Sequence, residues 1–109
     1  MGISPNGERR GALRVDATLP LSFEWDTQEG EIRRVRGTTR DVSRGGVYSF
    51  VEDPLAPALP VRFDVVFPSE LTASDPLKLA CCGQILRSEI LGRRFGVAVS
   101  IAHFRIIET

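Results

Sequence analysis

The clearest pattern along the chain is an alternation of apolar and polar residues between positions 13 and 25. Every odd-numbered side chain in this stretch is apolar, and the intervening residues are polar or charged except for Pro20. An alternation with a period of two predicts a long β-strand with one buried face. Because proline cannot donate a ladder hydrogen bond, Pro20 predicts a bulge or an edge strand at that point.

Five further segments have strand signals and are separated by turns or loops. They span residues 31–42, 47–51, 61–67, 77–87 and 95–101. Residues 28–30 and 91–92 have turn composition, and residues 53–60 form a proline-rich loop that cannot join a ladder. The pattern predicts an all-β fold, a six-stranded antiparallel β-barrel, with the last residues, 102–109, compatible with a short C-terminal helix.

The length of 109 residues suits one domain with one core. Residues 1–11 contain glycine and proline without apolar anchors, so we expect a flexible N-terminal arm there. Residues 12–104 then form the barrel domain, and residues 105–109 form a C-terminal tail.

The charges balance, with 14 Lys+Arg against 14 Asp+Glu, but they are unevenly placed. A net charge of zero argues against sequence-independent binding to DNA or RNA. Lys78 is the only lysine, and eight arginines fall within the first 44 residues: Arg9, Arg10, Arg14, Arg33, Arg34, Arg36, Arg40 and Arg44. Arginine suits planar acceptors such as phosphates and guanine edges, so the first part of the chain is the candidate binding region.

The residues that could bind metal or bridge segments are few. Cys81 and Cys82 are adjacent and point to opposite faces of a strand, which predicts one core thiol and one outward thiol. With His103 as the only histidine, the chain lacks a zinc set, and we expect no metal and no cofactor. No stretch approaches the roughly 20 apolar residues of a membrane span. The N-terminus lacks the apolar segment of a secretory signal, so we expect a cytoplasmic protein without membrane insertion.

Catalytic arrangements are also missing from the sequence. Ser43 has no histidine to activate it except His103, and residues 41–45 are not a nucleophile elbow. No glycine-rich phosphate loop is present. Most aromatic residues, among them Trp25 and Tyr48, have core-facing parity, which argues against an aromatic platform for single-stranded nucleic acid. The sequence therefore favours a binding protein over an enzyme.

Two short motifs mark the candidate site. Arg10 and Arg14 form an R-x-x-x-R, and Asp41, Ser43 and Gly46 form a D-x-S-x-x-G. The second motif alone could be turn chemistry, in which Asp and Ser bond to the backbone and glycine supplies a positive φ. Both motifs together, in this order, resemble the signature of the PilZ family of bacterial receptor domains for cyclic di-GMP.

The resemblance continues beyond the two motifs. Residues 45–48, 83–87 and 94–99 are similar to the G-G-V-aromatic, G-x-V-x-R and R-x-G-V-x-V stretches of PilZ strands, so the likeness covers residues 8–104. It implies a PilZ-like split barrel with cyclic di-GMP as ligand. The resemblance further implies second-messenger signalling. Because the arginine arm is expected to be flexible, we expect the ligand to order it against residues 41–46 and a downstream protein partner to recognise the new surface.

Specific roles follow from the resemblance for the two halves of the motif. It assigns Arg10 and Arg14 to guanine edges and phosphates, and it gives Arg9 an influence on whether one nucleotide or a stacked pair binds. It assigns Asp41 to the guanine N–H donors and Ser43 to a phosphate or to the turn itself. Gly45 and Gly46 would let the backbone approach the ligand.

Two other functions fit a barrel of this kind. One is a PilZ-fold protein-interaction module that does not bind nucleotide, although the intact motifs favour a nucleotide receptor. The other is a flavin-binding split barrel with oxidoreductase activity, which would be visible as yellow colour in the purified protein.

Overall fold

The computed structural model describes residues 14–108 and shows eight β-strands with one short helix. The strands are β1 Val15–Asp16, β2 Pro20–Asp26, β3 Ile32–Val42, β4 Gly46–Val51, β5 Pro60–Phe67, β6 Leu77–Leu91, β7 Arg94–Ser100 and β8 His103–Glu108. The helix, α1, is Ser69–Thr72 and lies in the polar loop between β5 and β6.

Six of these strands close into a barrel. Neighbouring strands follow the order β3, β2, β5, β6, β7, β4, and β4 pairs back with β3, so the ring is complete. Every pairing is antiparallel. The prediction of a six-stranded antiparallel barrel is therefore confirmed, and two additional strands extend it: β1 pairs with β3, and β8 pairs with β6.

The two longest strands bend because each contains an irregularity in its pairing. The β3–β4 register shifts between Thr39 and Asp41, and the β6–β7 register shifts between Ile85 and Arg87. An extra residue on one strand increases the local twist and allows a long strand to pair with different partners along its length. These shifts place Arg40 and Leu86 out of the regular alternation, and Arg40 directly precedes the predicted site.

The barrel interior is filled by alternate side chains of the six strands. Phe23 and Phe63 lie near its centre with ring centroids 5.2 Å apart. The buried apolar cluster comprises Leu19, Leu21, Phe23, Val35, Val42, Val47, Val51, Leu55, Val61, Phe63, Val65, Cys81, Ile85, Val97 and Val99. Burial of this apolar surface supplies the main favourable free energy of folding.

The predicted first strand is interrupted. Residues 17–19 separate β1 from β2, and both flanking pieces pair with the same strand, β3. The buried Thr39 hydroxyl explains the gap, because it accepts from the Leu19 amide at 2.9 Å and donates to the Ala17 carbonyl. The expectation of a continuous strand was thus wrong, and Val15 is 42% exposed instead of facing the core.

The expectation of a C-terminal helix was also wrong. Residues 103–108 form β8, which pairs with residues 77–82 of β6. The chain leaves β7 and continues along the same edge of β6, where the Ala102 amide donates to the Cys82 carbonyl at 2.8 Å. The free edge of a distant strand decides this conformation, so most of the residues expected as a tail belong to the sheet.

The adjacent cysteines differ in environment as predicted, with Cys81 buried and Cys82 partly exposed. Burial raises the pKa of the Cys81 thiol to about 12. At pH 8 its thiolate population is then about a thousandfold below that of an ordinary cysteine, and the thiolate is the reactive form.

We expect iodoacetamide at pH 8 to modify one thiol per folded chain, at Cys82, as measured by intact mass. Equal labelling of Cys82→Ser and the wild type would contradict this.

Among the described residues, none of the helical structure reaches the length and apolar character needed to cross a membrane.

Candidate functional site

The D-x-S-x-x-G motif forms the end of β3 and the short connection to β4. The Ser43 amide donates to the Gly46 carbonyl at 2.9 Å, and the Ser43 hydroxyl donates to the same oxygen at 3.2 Å. The Ile101 amide donates to the Gly45 carbonyl at 3.0 Å, which ties the connection to the end of β7. Ser43 therefore stabilises the turn, one of the two roles expected for it.

The surroundings of the two glycines of the motif differ. A Cβ on Gly46 would lie 2.7 Å from the Val99 carbonyl oxygen, so Gly46 allows β4 to approach β7 closely. A Cβ on Gly45 would meet nothing within 4 Å. Neither glycine has a positive φ, which removes the simplest turn-chemistry explanation for them. The open space at Gly45 is where a ligand could approach the backbone.

Asp41 lies on the outer face of the barrel with only 13% of its side chain exposed. Its Oδ2 atom accepts from Arg40 Nε at 2.7 Å and from Arg14 at 3.4 Å. Arg14 also lies 3.5 Å from Asp16, which is paired with Asp41 across β1 and β3. The fold thus brings together Arg14 and Asp41, which belong to different motifs 27 positions apart.

Two predicted site residues, Arg9 and Arg10, lie outside the described residues, as does the whole of the expected N-terminal arm, residues 1–11.

A cluster around Tyr48 borders the site and was missed by the sequence analysis. Tyr48 pairs with Asp41 across β3 and β4, and the Arg40 guanidinium carbon lies 4.1 Å from the centroid of its ring. The Tyr48 hydroxyl donates to Glu89, and the Arg87 guanidinium carbon lies 5.8 Å from the same ring. Tyr48 is buried by these charged neighbours outside the core cluster, so its predicted core-facing parity was wrong.

Hydrogen bonds within this cluster stabilise the protonation states of its members. The hydrogen bond to Asp41 raises the pKa of Arg40. Burial, followed by the hydrogen bond to Glu89, raises the pKa of Tyr48, and that hydrogen bond lowers the pKa of Glu89. At neutral pH a protonated phenol is therefore surrounded by ionised groups. No local pattern could have revealed this cluster, because its members come from three different strands.

On its other side the turn borders a small apolar groove of about 170 Å³. It is lined by Val15, Val42, Ser43, Arg44, Leu79, Ile101 and Phe104. Two larger clefts, of about 480 and 500 Å³, lie around Arg62 and Cys82 and contain none of the predicted site residues that the structure describes.

The arrangement suits recognition of a planar, anionic ligand. Asp41 provides acceptors, while Arg14 and Arg40 provide charge-assisted donors on the same rim of the barrel. Between residues 14 and 108, no three His, Cys, Asp or Glu side chains come together as metal ligands.

Comparison with known proteins gives one family and several solved structures with a similar fold. The family model described as the PilZ domain matches residues 8–108. The Bacillus subtilis inhibitor of motility (MotI/DgrA) superimposes with a TM-score of 0.65 at 16% identity over 84% of this chain. This chain spans only 42% of that protein. No match was found among curated proteins.

The second similar structure is the PilZ domain of CeSA from a cellulose-synthesizing bacterium. It has a TM-score of 0.54 and 23% identity, covering 84% of this chain and 83% of that one. At these identities both structures show the shared fold.

Proposed function

The chain belongs to the PilZ domain family, whose model matches residues 8–108, and from that premise we propose that it is a cytoplasmic receptor for cyclic di-GMP, not an enzyme. The observation that supports this most is the contact between Arg14 and Asp41. It joins the last residue of R-x-x-x-R to the first residue of D-x-S-x-x-G at the rim of the barrel.

The chemistry of the ligand matches these groups. Guanine presents N7 and O6 as paired acceptors, which an arginine fork can meet with two parallel hydrogen bonds. Its N1–H and N2–H groups need an acceptor, and the Asp41 carboxylate supplies one. We assign Arg10 and Arg14 to the acceptor edge of guanine and to the phosphates, and we assign Gly45 to close approach of the backbone.

The strength of such contacts is sufficient for a signalling receptor. A micromolar dissociation constant corresponds to about 8 kcal/mol, and a hydrogen bond to a charged group contributes about 1.5–3 kcal/mol. A small number of these contacts can therefore offset the cost of ordering residues 8–14 against the Asp41–Gly46 turn. The surface formed in this way would be recognised by a protein partner.

The proposal predicts saturable binding of cyclic di-GMP. Titration calorimetry is expected to give a micromolar or tighter dissociation constant for the wild type and no heat with GTP. Arg10→Ala removes one arginine fork, so we expect its affinity to be about 10–100-fold weaker.

Hydrogen exchange on the same samples should show increased protection of residues 8–14 with ligand, and equal protection in both states would contradict the ordering step. Absence of heat from folded wild-type protein would contradict the receptor function and would favour a protein-interaction module.

A further inference from the structure

Arg40 and Asp41 together present a row of hydrogen-bonding groups on the outer face of the barrel. Arg40 Nε donates to Asp41 Oδ2 at 2.7 Å, while the Oδ1 atom accepts no hydrogen bond from any described residue. The Arg40 side chain is 51% exposed. Its terminal amino groups make no other hydrogen bond within residues 14–108, so they remain available beside the carboxylate.

This row is complementary to the Watson–Crick edge of guanine. That edge presents two donors, N2–H and N1–H, followed by one acceptor, O6. Each carboxylate oxygen can accept two hydrogen bonds, so the two oxygens of Asp41 can receive both guanine donors once the longer Arg14 contact of 3.4 Å is released. An adjacent N–H of Arg40 can then donate to O6. The pair thus offers acceptor, acceptor and donor, as cytosine does in a base pair.

The cluster beneath Arg40 holds it in position. Its guanidinium stacks on Tyr48 at 4.1 Å, and the Tyr48 hydroxyl is anchored by Glu89. Glu89 also lies 3.5 Å from Arg87. A guanidinium that is already stacked and paired loses little freedom when it binds a ligand. Lysine could not reproduce this arrangement, because it lacks both the planar fork and the fixed direction of the second donor.

We propose that Arg40 is a guanine-specificity residue of this site, which donates to O6 while Asp41 accepts N1–H and N2–H, and that Tyr48 is its positioning residue. This inference rests on the proposed function and adds a contact outside both sequence motifs.

The test is a double-mutant cycle between protein and ligand. Calorimetry compares cyclic di-GMP with the analogue in which sulfur, a weak acceptor, replaces O6 of both guanines. In Arg40→Ala we expect cyclic di-GMP affinity to fall about tenfold, or about 1.4 kcal/mol. The ratio of the affinities for the oxygen ligand and the sulfur analogue, which measures the preference, should fall by a similar factor. The reason is that the contact between Arg40 and O6 is the interaction that both the substitution and the analogue remove. We expect the same loss of preference in Arg40→Lys, which retains the charge.

The matched control is Arg33→Ala, which removes an exposed arginine of the same strand whose ion-pair partner within residues 14–108 is Glu31. It should leave affinity and preference unchanged. Tyr48→Leu should lower the preference as Arg40→Ala does, and Tyr48→Phe, which keeps the ring, should retain it. An unchanged preference in Arg40→Ala would overturn this inference alone. Absence of cyclic di-GMP binding by the wild type would overturn the proposed function and this inference with it.

Discussion

Asp41→Ala is expected to reduce the affinity for cyclic di-GMP by about a hundredfold or more, corresponding to about 2.8 kcal/mol. In the proposed complex the carboxylate accepts from both guanine N–H donors, and two such charge-assisted bonds exceed this value even after the cost of desolvation. The substitution also removes the partner that orients Arg40. Titration calorimetry measures the loss.

Two further variants test whether the loss of affinity reflects direct recognition by Asp41. Asp41→Asn keeps one acceptor oxygen and the side-chain shape, so we expect it to retain part of the affinity. Asp16→Ala removes the other carboxylate near Arg14. The Asp16 carboxylate lies 3.5 Å from Arg14 and is largely exposed. The affinity of this variant should remain close to that of the wild type. If Asp16→Ala lost as much affinity as Asp41→Ala, general electrostatics would explain the effect better than direct recognition.

Gly83→Ala is expected to destabilise the barrel by about 3 kcal/mol or more, the upper part of the range for overpacking substitutions. An alanine Cβ at this position would lie 1.8 Å from the Ser100 carbonyl oxygen and 2.7 Å from its carbonyl carbon. Backbone atoms cannot rotate away as a side chain can, so the junction between β7 and β8 would have to move. That movement would disturb the hydrogen bonds between Ser100 and Gln84.

Thermal unfolding followed by circular dichroism measures this effect. For a domain of this size, a loss of 3 kcal/mol lowers the melting temperature by about 15 °C. Gly45→Ala is the matched control, since its new Cβ would meet nothing within 4 Å and its φ is not positive. It should unfold close to the wild-type temperature. A stable Gly83→Ala variant would show that the β7–β8 junction adapts easily.

Strands that are marked by a local alternation of residues could be predicted from the sequence. The alternation in β2, β5 and β7 predicted these strands because one face of each packs into the core. Residues 31–42 alternate poorly in the sequence, and β3 indeed contains a register shift at Arg40. By contrast, the interruption after Asp16 depends on the Thr39 hydroxyl, which is more than twenty positions away along the chain.

Part of the site was likewise predictable. Asp41, Ser43 and Gly46 could be identified because the motif residues are close in sequence and have distinctive chemistry. Arg40 could not, because its proposed role depends on stacking on Tyr48 and on the indirect support of Glu89 and Arg87. Its adjacency to Asp41 was visible, but the bulge that directs both side chains to one face was only visible in the fold.

Local alternation and residue chemistry are sufficient to predict the all-β class, the six barrel strands and the two motifs. That residues 103–108 form a strand follows from the fold, since the free edge of β6 provides their hydrogen-bond partners. The fold also brings Arg14 to Asp41 and buries Tyr48 beneath arginines on the outer face. Each of these depends on pairing between distant segments, which a local pattern does not contain.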